Sequence, residues 1–225
     1  MAPPVKRPYR SDRRAAGALA TRRAVLDAAQ RLFGAHGYGA TTLQQIADEA
    51  DVAVQTVYAT FGNKQQLLRD ALDVAIAGDD AAVAVNERDW MHDVFHHRDP
   101  AVRLERYARA VRRIHERAAD MFIALETAAA ADPALRAMAD EAAQQRRRGA
   151  ASVVDALLDV TTLAEGLVRP HAVDVVWTLN SAEVYRLLVR QSGWTGDDYE
   201  TWLGRTLNAQ LLPANRVRRT RSSSR

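Results

Sequence analysis

The side chains best suited to chemistry in this sequence share one face of a short helix predicted over residues 54–61. Gln55, Thr56, Ala59 and Thr60 form that face, and three of them carry short, neutral groups that donate and accept hydrogen bonds. Such a helix fits the DNA major groove, where these groups can bond to base edges. A helical hairpin inside a protein core would show the same apolar spacing on its opposite face, so periodicity alone does not select DNA binding.

Two short helices joined by a tight turn position this face. Their apolar residues recur at i, i+3, i+4 and i+7: Leu43, Ile46, Ala47 and Ala50 in the first helix, and Val54, Val57, Tyr58 and Phe61 in the second. The three residues between them, Asp51 to Ala53, have the length of the turn in a helix-turn-helix. The pattern therefore predicts a helix-turn-helix over residues 42–61.

The flanking sequence predicts how these helices begin and end. A supporting helix is expected from Thr21 to Gly34, where a glycine-rich stretch ends it. Thr41 or Thr42 then caps the next helix. After Phe61, Gly62 ends the second helix, and a further helix is expected from Asn63 to Ala77.

This arrangement resembles the TetR family of transcriptional regulators. The matching positions lie between Arg22 and Leu72: Ala28, Ala29, Leu32, Phe33, Gly37, Thr41, Thr42, Ile46, Ala47, Ala50, Val52, Thr56, Tyr58, Phe61 and Lys64. Two positions depart from the commoner family pattern. Asp51 replaces a turn glycine, and Ala53 replaces a capping serine, so the second helix must begin with the help of Asp51 or of backbone geometry alone.

The resemblance implies a set of DNA contacts. Carried over position by position, they are Thr42, Gln44, Val54, Gln55, Thr56, Tyr58, Thr60 and Lys64. Gln45 is added because it lies on the exposed face of the first helix. Thr42, Tyr58 and Lys64 are expected to hold phosphates, and Gln44, Gln55 and Thr60 to reach base edges.

The resemblance also implies an all-α fold, in which a three-helix helix-turn-helix head stands on a larger helical body. The predicted regions are a disordered basic arm (1–18), the head (19–77), a ligand-binding and dimerisation body (78–212) and a disordered basic tail (213–225). Asp99-Pro100 and Asp132-Pro133 each signal a helix start in the body. The last two helices, predicted over 171–191 and 196–212, are expected to hold a homodimer together.

In the family, a cavity in the body takes a small hydrophobic or amphipathic effector. Large side chains of the body are candidates to line such a cavity: Trp90, Met121, Phe122, Trp177 and Tyr185. For any single one of them, ordinary core or interface packing is the favoured explanation. The candidates are therefore a hypothesis about the cavity and not about the ligand.

Composition limits the classes of function. The chain of 225 residues has no cysteine, which excludes disulfides, thiolate metal sites and cysteine nucleophiles and fits a reducing cytoplasm. No apolar run approaches a membrane span, and no secretory signal begins the chain, so we expect a cytoplasmic protein without membrane contact. Lysine and arginine outnumber acidic residues nine to five over residues 1–64 and six to none over 201–225, but number sixteen against twenty-three between them. Basic ends favour a polyanionic partner, although solubilising tails give the same pattern.

Motifs of catalysis and metal binding are absent or incomplete in the sequence. His92 and His96 have the i, i+4 spacing of metal ligands, but no third ligand stands at a fixed spacing, and surface histidines explain them better. We therefore expect no metal, no cofactor and no enzyme. The sequence favours a homodimeric repressor that binds a palindromic operator in double-stranded DNA. The alternatives are a non-specific or architectural DNA-binding protein and, third, a helical small-molecule carrier or enzyme.

Overall fold

The computed structural model describes residues 9–81, 83 and 87–214, with side chains from residue 16 onward. Its regular structure in these ranges is helical, and they contain no strand. The helices are α1 (Tyr9–Ala40), α2 (Leu43–Glu49), α3 (Val54–Phe61), α4 (Lys64–Ala77), α5 (Asp89–His96), α6 (Pro100–Ala129), α7 (Pro133–Leu158), α8 (Arg169–Leu179), α9 (Ala182–Tyr185) and α10 (Gly196–Leu211). The prediction of an all-α fold with an N-terminal helix-turn-helix is confirmed.

The first helix is longer than the sequence pattern predicted. It begins at Tyr9 and not at Thr21, so the prediction of a disordered arm is wrong for residues 9–18, and residues 1–8 lie outside the described part. Arginine and alanine dominate residues 10–20, and their helix propensity extends α1 backwards. Gly34 remains helical, and the break falls instead at Gly37, whose φ of 77° an L-residue rarely adopts. Of the predicted tail, residues 215–225 lie outside the described part.

The described residues fall into two compact units. The first comprises residues from 1–85 and 113–143, and the second comprises residues from 86–112 and 144–225. The boundaries predicted for functional regions at residues 18, 77 and 212 stay a prediction. Among the described residues, no helix combines the length and the apolarity needed to cross a membrane.

A single apolar core fills the first unit. Val25, Ala29 and Phe33 of α1 lie fully buried in the same cluster as Ile46 of α2 and Val57 of α3. Buried residues of α4, of the second half of α6 and of early α7 complete the cluster: Leu67, Leu68, Ala71, Met121, Leu125 and Leu135. The helix-turn-helix is therefore fixed on one side by burial, while its opposite side stays open.

The second unit contains an interruption that the sequence did not predict. The expected single helix over 171–191 divides at Asn180, where α8 has ended and Ser181 caps α9 by accepting from the Val184 N–H at 3.2 Å. Asn180 is held elsewhere, because its Nδ2 donates to the Tyr107 hydroxyl at 2.7 Å and its carbonyl accepts from Arg146 at 2.9 Å. After α9 the chain continues as a π-helical segment, Arg186–Gln191. The start of α6 was predicted correctly, since Asp99 Oδ1 accepts from the Ala101 N–H at 2.8 Å.

Candidate nucleic-acid interface

The start of α2 is fixed by a reciprocal cap. Thr42 Oγ1 accepts from the backbone N–H of Gln45 at 3.1 Å, and Gln45 Oε1 accepts from the backbone N–H of Thr42 at 2.8 Å. Thr41 is buried and donates instead to the Gly37 carbonyl at 2.8 Å. Of the two threonines considered as caps, Thr42 is therefore the one that the structure selects. Its exposed position leaves the first turn of α2 open to a phosphate.

The turn into α3 depends on Asp51. Asp51 has a φ of 53°, the left-handed conformation for which glycine is preferred. Ala53 is the N-cap residue of α3 with extended backbone and no side-chain hydrogen bond, as expected for alanine. The Thr56 N–H donates to the Ala53 carbonyl at 2.9 Å. Of the two alternatives that the sequence left open for the start of α3, Asp51 or backbone geometry, backbone geometry is the one observed at the cap residue.

Two buried residues anchor α3, and Arg22 supports one of them. Val57 and Phe61 point into the core, and the Arg22 guanidinium lies 4.9 Å from the Phe61 ring centroid. Arg22 also pairs with Asp70 at 2.9 Å and with Asp80 at 2.7 Å. The hydrogen bond to Asp80 contributes most to a raised pKa of the guanidinium. Arg22 was not among the predicted site residues. It lies one turn before Val25, so the sequence does place this basic residue on the same helical face as the apolar stripe.

The side of α3 away from the core carries the residues predicted to contact DNA. Gln55, Tyr58 and Thr60 are exposed, and 53% of the Tyr58 surface is accessible. Tyr58 is therefore exposed although it shares the helical spacing of Val57 and Phe61, and its place among the DNA contacts stays a prediction. Thr56 and Val54 are half-buried. The Thr60 hydroxyl donates to the Thr56 carbonyl at 2.8 Å, which leaves its lone pairs to accept a hydrogen bond from a base.

Both glutamines of α2 are engaged by near neighbours. Gln44 Nε2 donates to Asp48 Oδ1 at 2.7 Å, and the side-chain oxygen of Gln45 belongs to the cap described above. Both side chains are exposed. Their contacts with DNA stay predictions, and Gln44 would first have to leave Asp48.

Lys64 rests on an aromatic ring at the start of α4. Its Nζ lies 4.1 Å from the ring centroid of Tyr38, which stacks on Phe33 at 5.7 Å. Partial burial lowers the pKa of Lys64. Asn63 caps the helix by accepting from the Gln66 N–H at 2.8 Å. Tyr38 was not among the predicted site residues, because its contact with Lys64 joins α1 to α4 and depends on the fold.

The residues proposed for a ligand cavity fall into different units. Met121 and Phe122 belong to the first unit, where Met121 is fully buried in the core. Trp90, Trp177 and Tyr185 belong to the second unit. Trp177 is covered by Arg146 and Arg147, at 4.9 and 5.4 Å from its ring, and Tyr185 packs edge-on against Tyr199 at 5.0 Å. Neither unit holds the complete set, and the cavity stays a prediction.

The two histidines with metal-ligand spacing contact each other. The His92 and His96 rings stack with centroids 4.0 Å apart, and His96 Nδ1 lies 2.9 Å from the His92 carbonyl. Within the described ranges, no group of three or more histidine, cysteine or carboxylate residues could hold a metal ion.

A family profile coincides with the geometry described above. The profile described as "Bacterial regulatory proteins, tetR family" matches residues 25–71, from the middle of α1 through the first half of α4. The resemblance to the tetR family that the sequence predicted is confirmed over these residues. It is 34% identical over 76 residues to the uncharacterized HTH-type transcriptional regulator YvkB of Bacillus subtilis, and 44% identical over 52 residues to the HTH-type transcriptional repressor ComR of Escherichia coli. These alignments cover 34% and 23% of this chain, and only 40% and 25% of the two relatives.

Solved structures share the fold over most of the chain. A protein of Saccharomonospora viridis, described as a candidate transcriptional regulator in complex with choline, aligns with a TM-score of 0.62 at 16% identity, over 84% of this chain and 96% of that one. A Clostridium perfringens protein described as a candidate fatty acid metabolism regulator aligns with a TM-score of 0.59 at 14% identity, over 82% of this chain and 96% of that one. At such identities the likeness shows a common fold and nothing about ligands.

Proposed function

We propose that this tetR-family protein is a DNA-binding transcriptional regulator that represses by occupying a palindromic operator as a homodimer. The observation that carries the proposal is the division of α3 into two faces. Val57 and Phe61 fix the helix to the core, while Gln55, Tyr58 and Thr60 remain exposed on the other side. A rigidly held helix with exposed hydrogen-bonding groups is what major-groove recognition requires.

The residues around α3 suit two different tasks in binding DNA. Thr42 at the N-terminus of α2 and Lys64 at that of α4 carry groups that attract phosphates. Gln55 stands in the first turn of α3, the end that approaches bases in helix-turn-helix complexes, and a glutamine can bond bidentately to adenine. Phosphate contacts would set the register of the protein on the duplex, and Gln55 and Thr60 would then discriminate between bases.

A relative of the chain supports repression, because ComR is described as a repressor. A small hydrophobic or amphipathic molecule is the class of effector that we propose, following the resemblance to the tetR family. It would act by binding more tightly to one conformation of the protein than to another. The proposal places the protein in the cytoplasm, where the chromosome lies.

Exposed apolar residues in the second unit support the homodimer. Between the end of α7 and the π-helical segment, four large apolar side chains have at least 41% of their surface accessible: Leu158, Val160, Val168 and Leu187. Burying such residues against a second copy would remove their apolar surface from water. A two-fold dimer would also match the symmetry of a palindromic operator.

The proposal is tested by selecting duplexes that the full chain binds from a random pool and sequencing them. We expect a two-fold-symmetric motif with half-sites about one helical turn apart. Binding to every duplex alike, with a steep salt dependence, would instead indicate a non-specific DNA-binding protein. Absence of duplex binding, together with a small molecule that copurifies, would indicate a carrier.

The dimer is tested by light scattering of Leu187→Glu beside a matched control. Leu19→Glu introduces the same charge at another exposed leucine, in α1. We expect Leu187→Glu to give monomers and Leu19→Glu to remain dimeric. Equal masses for the wild type and both variants would show that Leu187 does not lie at a dimer interface.

A further inference from the structure

A surface cleft of about 630 Å³ lies within the first unit, beside the glycine-rich end of α1. Residues 34 to 40 of α1 form one wall, and the second half of α6 with the start of α7 forms the other. The two walls lie close together at Gly34, where a Cβ would lie 3.4 Å from Asp120 Cβ. The volume falls in the range of sites that hold small organic molecules.

The lining of the cleft is largely apolar and includes two carboxylates. Ile123, Ala124 and Leu135 contribute apolar surface, and Asp120 and Asp132 contribute the acidic groups. No lysine or arginine from the described part of the chain lines it. A cleft of this composition favours a molecule that carries both hydrocarbon and positive charge.

The hydrogen-bond partners of Asp132 are neutral amides. Asp132 Oδ2 accepts from Gln65 Nε2 at 3.3 Å, and Oδ1 accepts from the N–H groups of Ala134 at 2.8 Å and Leu135 at 3.4 Å at the start of α7. None of the three donors carries a positive charge. Burial raises the pKa of Tyr38, and the negative charge of Asp132 raises it further. Tyr38 also lines the cleft.

Two lining residues of the cleft contact the first turn of α4, directly after α3. Tyr38 lies under Lys64 Nζ, and Asp132 bonds Gln65. Any molecule that occupies the cleft therefore meets the ring and the carboxylate that hold these two α4 side chains. Lys64 is one of the proposed phosphate contacts, so occupancy of the cleft bears on DNA binding through this turn.

We propose that the cleft binds a small amphipathic organic cation. Its hydrocarbon part packs on Ile123 and Leu135, and its positive charge lies beside Asp120, Asp132 and the Tyr38 ring, because aromatic faces attract organic cations. The cation competes with Lys64 for that ring and with Gln65 for Asp132. Its effect on DNA rests on the proposed function, whereas its binding does not.

The binding step is tested by titration calorimetry on the full chain with three probes of equal hydrocarbon length. Hexyltrimethylammonium is the cation, hexanol the neutral control and hexyl sulfate the anionic control. We expect binding of the cation alone. Equal binding of hexanol would overturn the role of charge, and a titration that changes with protein concentration, because a second copy covers the cleft, would overturn the proposal.

Matched variants locate the site. Asp120→Asn and Asp132→Asn remove charge, and asparagine retains the ability of residue 132 to cap α7. Each should weaken binding of hexyltrimethylammonium about fivefold. Asp140→Asn makes the same change at an exposed position of α7 outside the cleft and should leave the affinity unchanged. Thr127→Trp should abolish binding by filling the cleft from its exposed edge. Unchanged affinity in Asp120→Asn, Asp132→Asn and Thr127→Trp would overturn the site.

The DNA step uses the operator found by duplex selection. Saturating hexyltrimethylammonium should raise the operator Kd about fivefold or more in the wild type and leave Thr127→Trp unaffected. If the cation binds and the variants change its affinity as expected, but no duplex binds, the proposed function is refuted and the cation site is retained. If a specific duplex binds but the cation does not, the cation site is refuted and the proposed function is retained. Cation binding that leaves the operator Kd unchanged would overturn the link through Lys64 and Gln65.

Discussion

The helix starts of the helix-turn-helix are capped by near neighbours in sequence, whereas the end of α8 in the second unit is bonded by distant residues. Thr42 and Asn63 each bond a residue three positions ahead. In the second unit, Asn180 bonds Tyr107 across 73 positions and accepts from Arg146 across 34. The fold around α3 is therefore specified largely by short stretches of sequence, while the end of α8 depends on packing already being in place.

The helix-turn-helix and the second unit also differ in the kind of groups that they bury. The helix-turn-helix leaves its polar residues on the surface and buries hydrocarbon. The second unit buries the Tyr199 hydroxyl and Trp177 Nε1 without a hydrogen-bond partner within the described structure. Since an unmade buried hydrogen bond is costly, single hydroxyl groups should matter to stability in the second unit more than at the DNA-facing surface.

The largest effect is expected from the one part of the helix-turn-helix that is not local, its anchor in the core. Phe61→Ala should lower the free energy of unfolding by about 3–5 kcal/mol, because it empties a buried site and removes the ring beneath Arg22. Tyr58→Ala, three residues earlier on the exposed face, should change it by less than about 0.5 kcal/mol. Urea unfolding followed by circular dichroism measures both. Similar losses would show that α3 is not divided into a buried and an exposed face.

The exposed surface should separate base discrimination from phosphate attraction. Gln55→Ala should remove discrimination at one position in each half-site, by about 1–3 kcal/mol, because a bidentate contact is lost. Lys64→Ala should weaken all duplexes alike and reduce the salt slope by about one per subunit. Binding isotherms for the operator, its single-base variants and random duplex at several salt concentrations give both quantities. If Lys64→Ala altered the preferred base, the orientation that we propose for α3 would be wrong.

Features of the fold that depend on residues close in sequence could be predicted from the sequence, whereas features that depend on residues distant in sequence could not. The caps at Thr42 and Asn63, the unusual turn at Asp51 and the helix start at Asp99 were predictable, because each signal lies within a few residues of its effect. The interruption at Asn180 was not predictable, because the Asn180 side chain is bonded by Tyr107, which is remote in sequence. In the candidate interface, exposure of Gln55 and Thr60 followed from the helical period. The support of Lys64 by Tyr38 needed the fold itself.

Two tyrosines of the second unit test whether buried hydroxyl groups affect its stability. Tyr107→Phe should lower the free energy of unfolding by about 1–2 kcal/mol, since it leaves the Asn180 amide without its acceptor. Tyr199→Phe removes a hydroxyl that has no bonded partner and should be neutral or stabilise by up to about 1 kcal/mol. Thermal unfolding of the two variants gives the difference directly. A larger loss for Tyr199→Phe would show that a buried water satisfies its hydroxyl and would weaken the contrast between the regions.

The smallest effects concern the two caps of the helix-turn-helix, and they test how local its stability is. Thr42→Ala should lower the free energy of unfolding by about 1 kcal/mol, because the Gln45 N–H loses its acceptor. Ala53→Ser should raise it by about 0.5–1 kcal/mol, because the residue already has the extended backbone of a cap (φ −68°, ψ 140°) and lacks only a side-chain oxygen. Since the two sites belong to different helices, the double variant should show the sum of the two changes. Urea unfolding of both single variants and the double variant provides the test. A sum that fails by more than about 0.5 kcal/mol would mean that the two caps are coupled through the core, and that the helix-turn-helix is less local than its hydrogen bonds suggest.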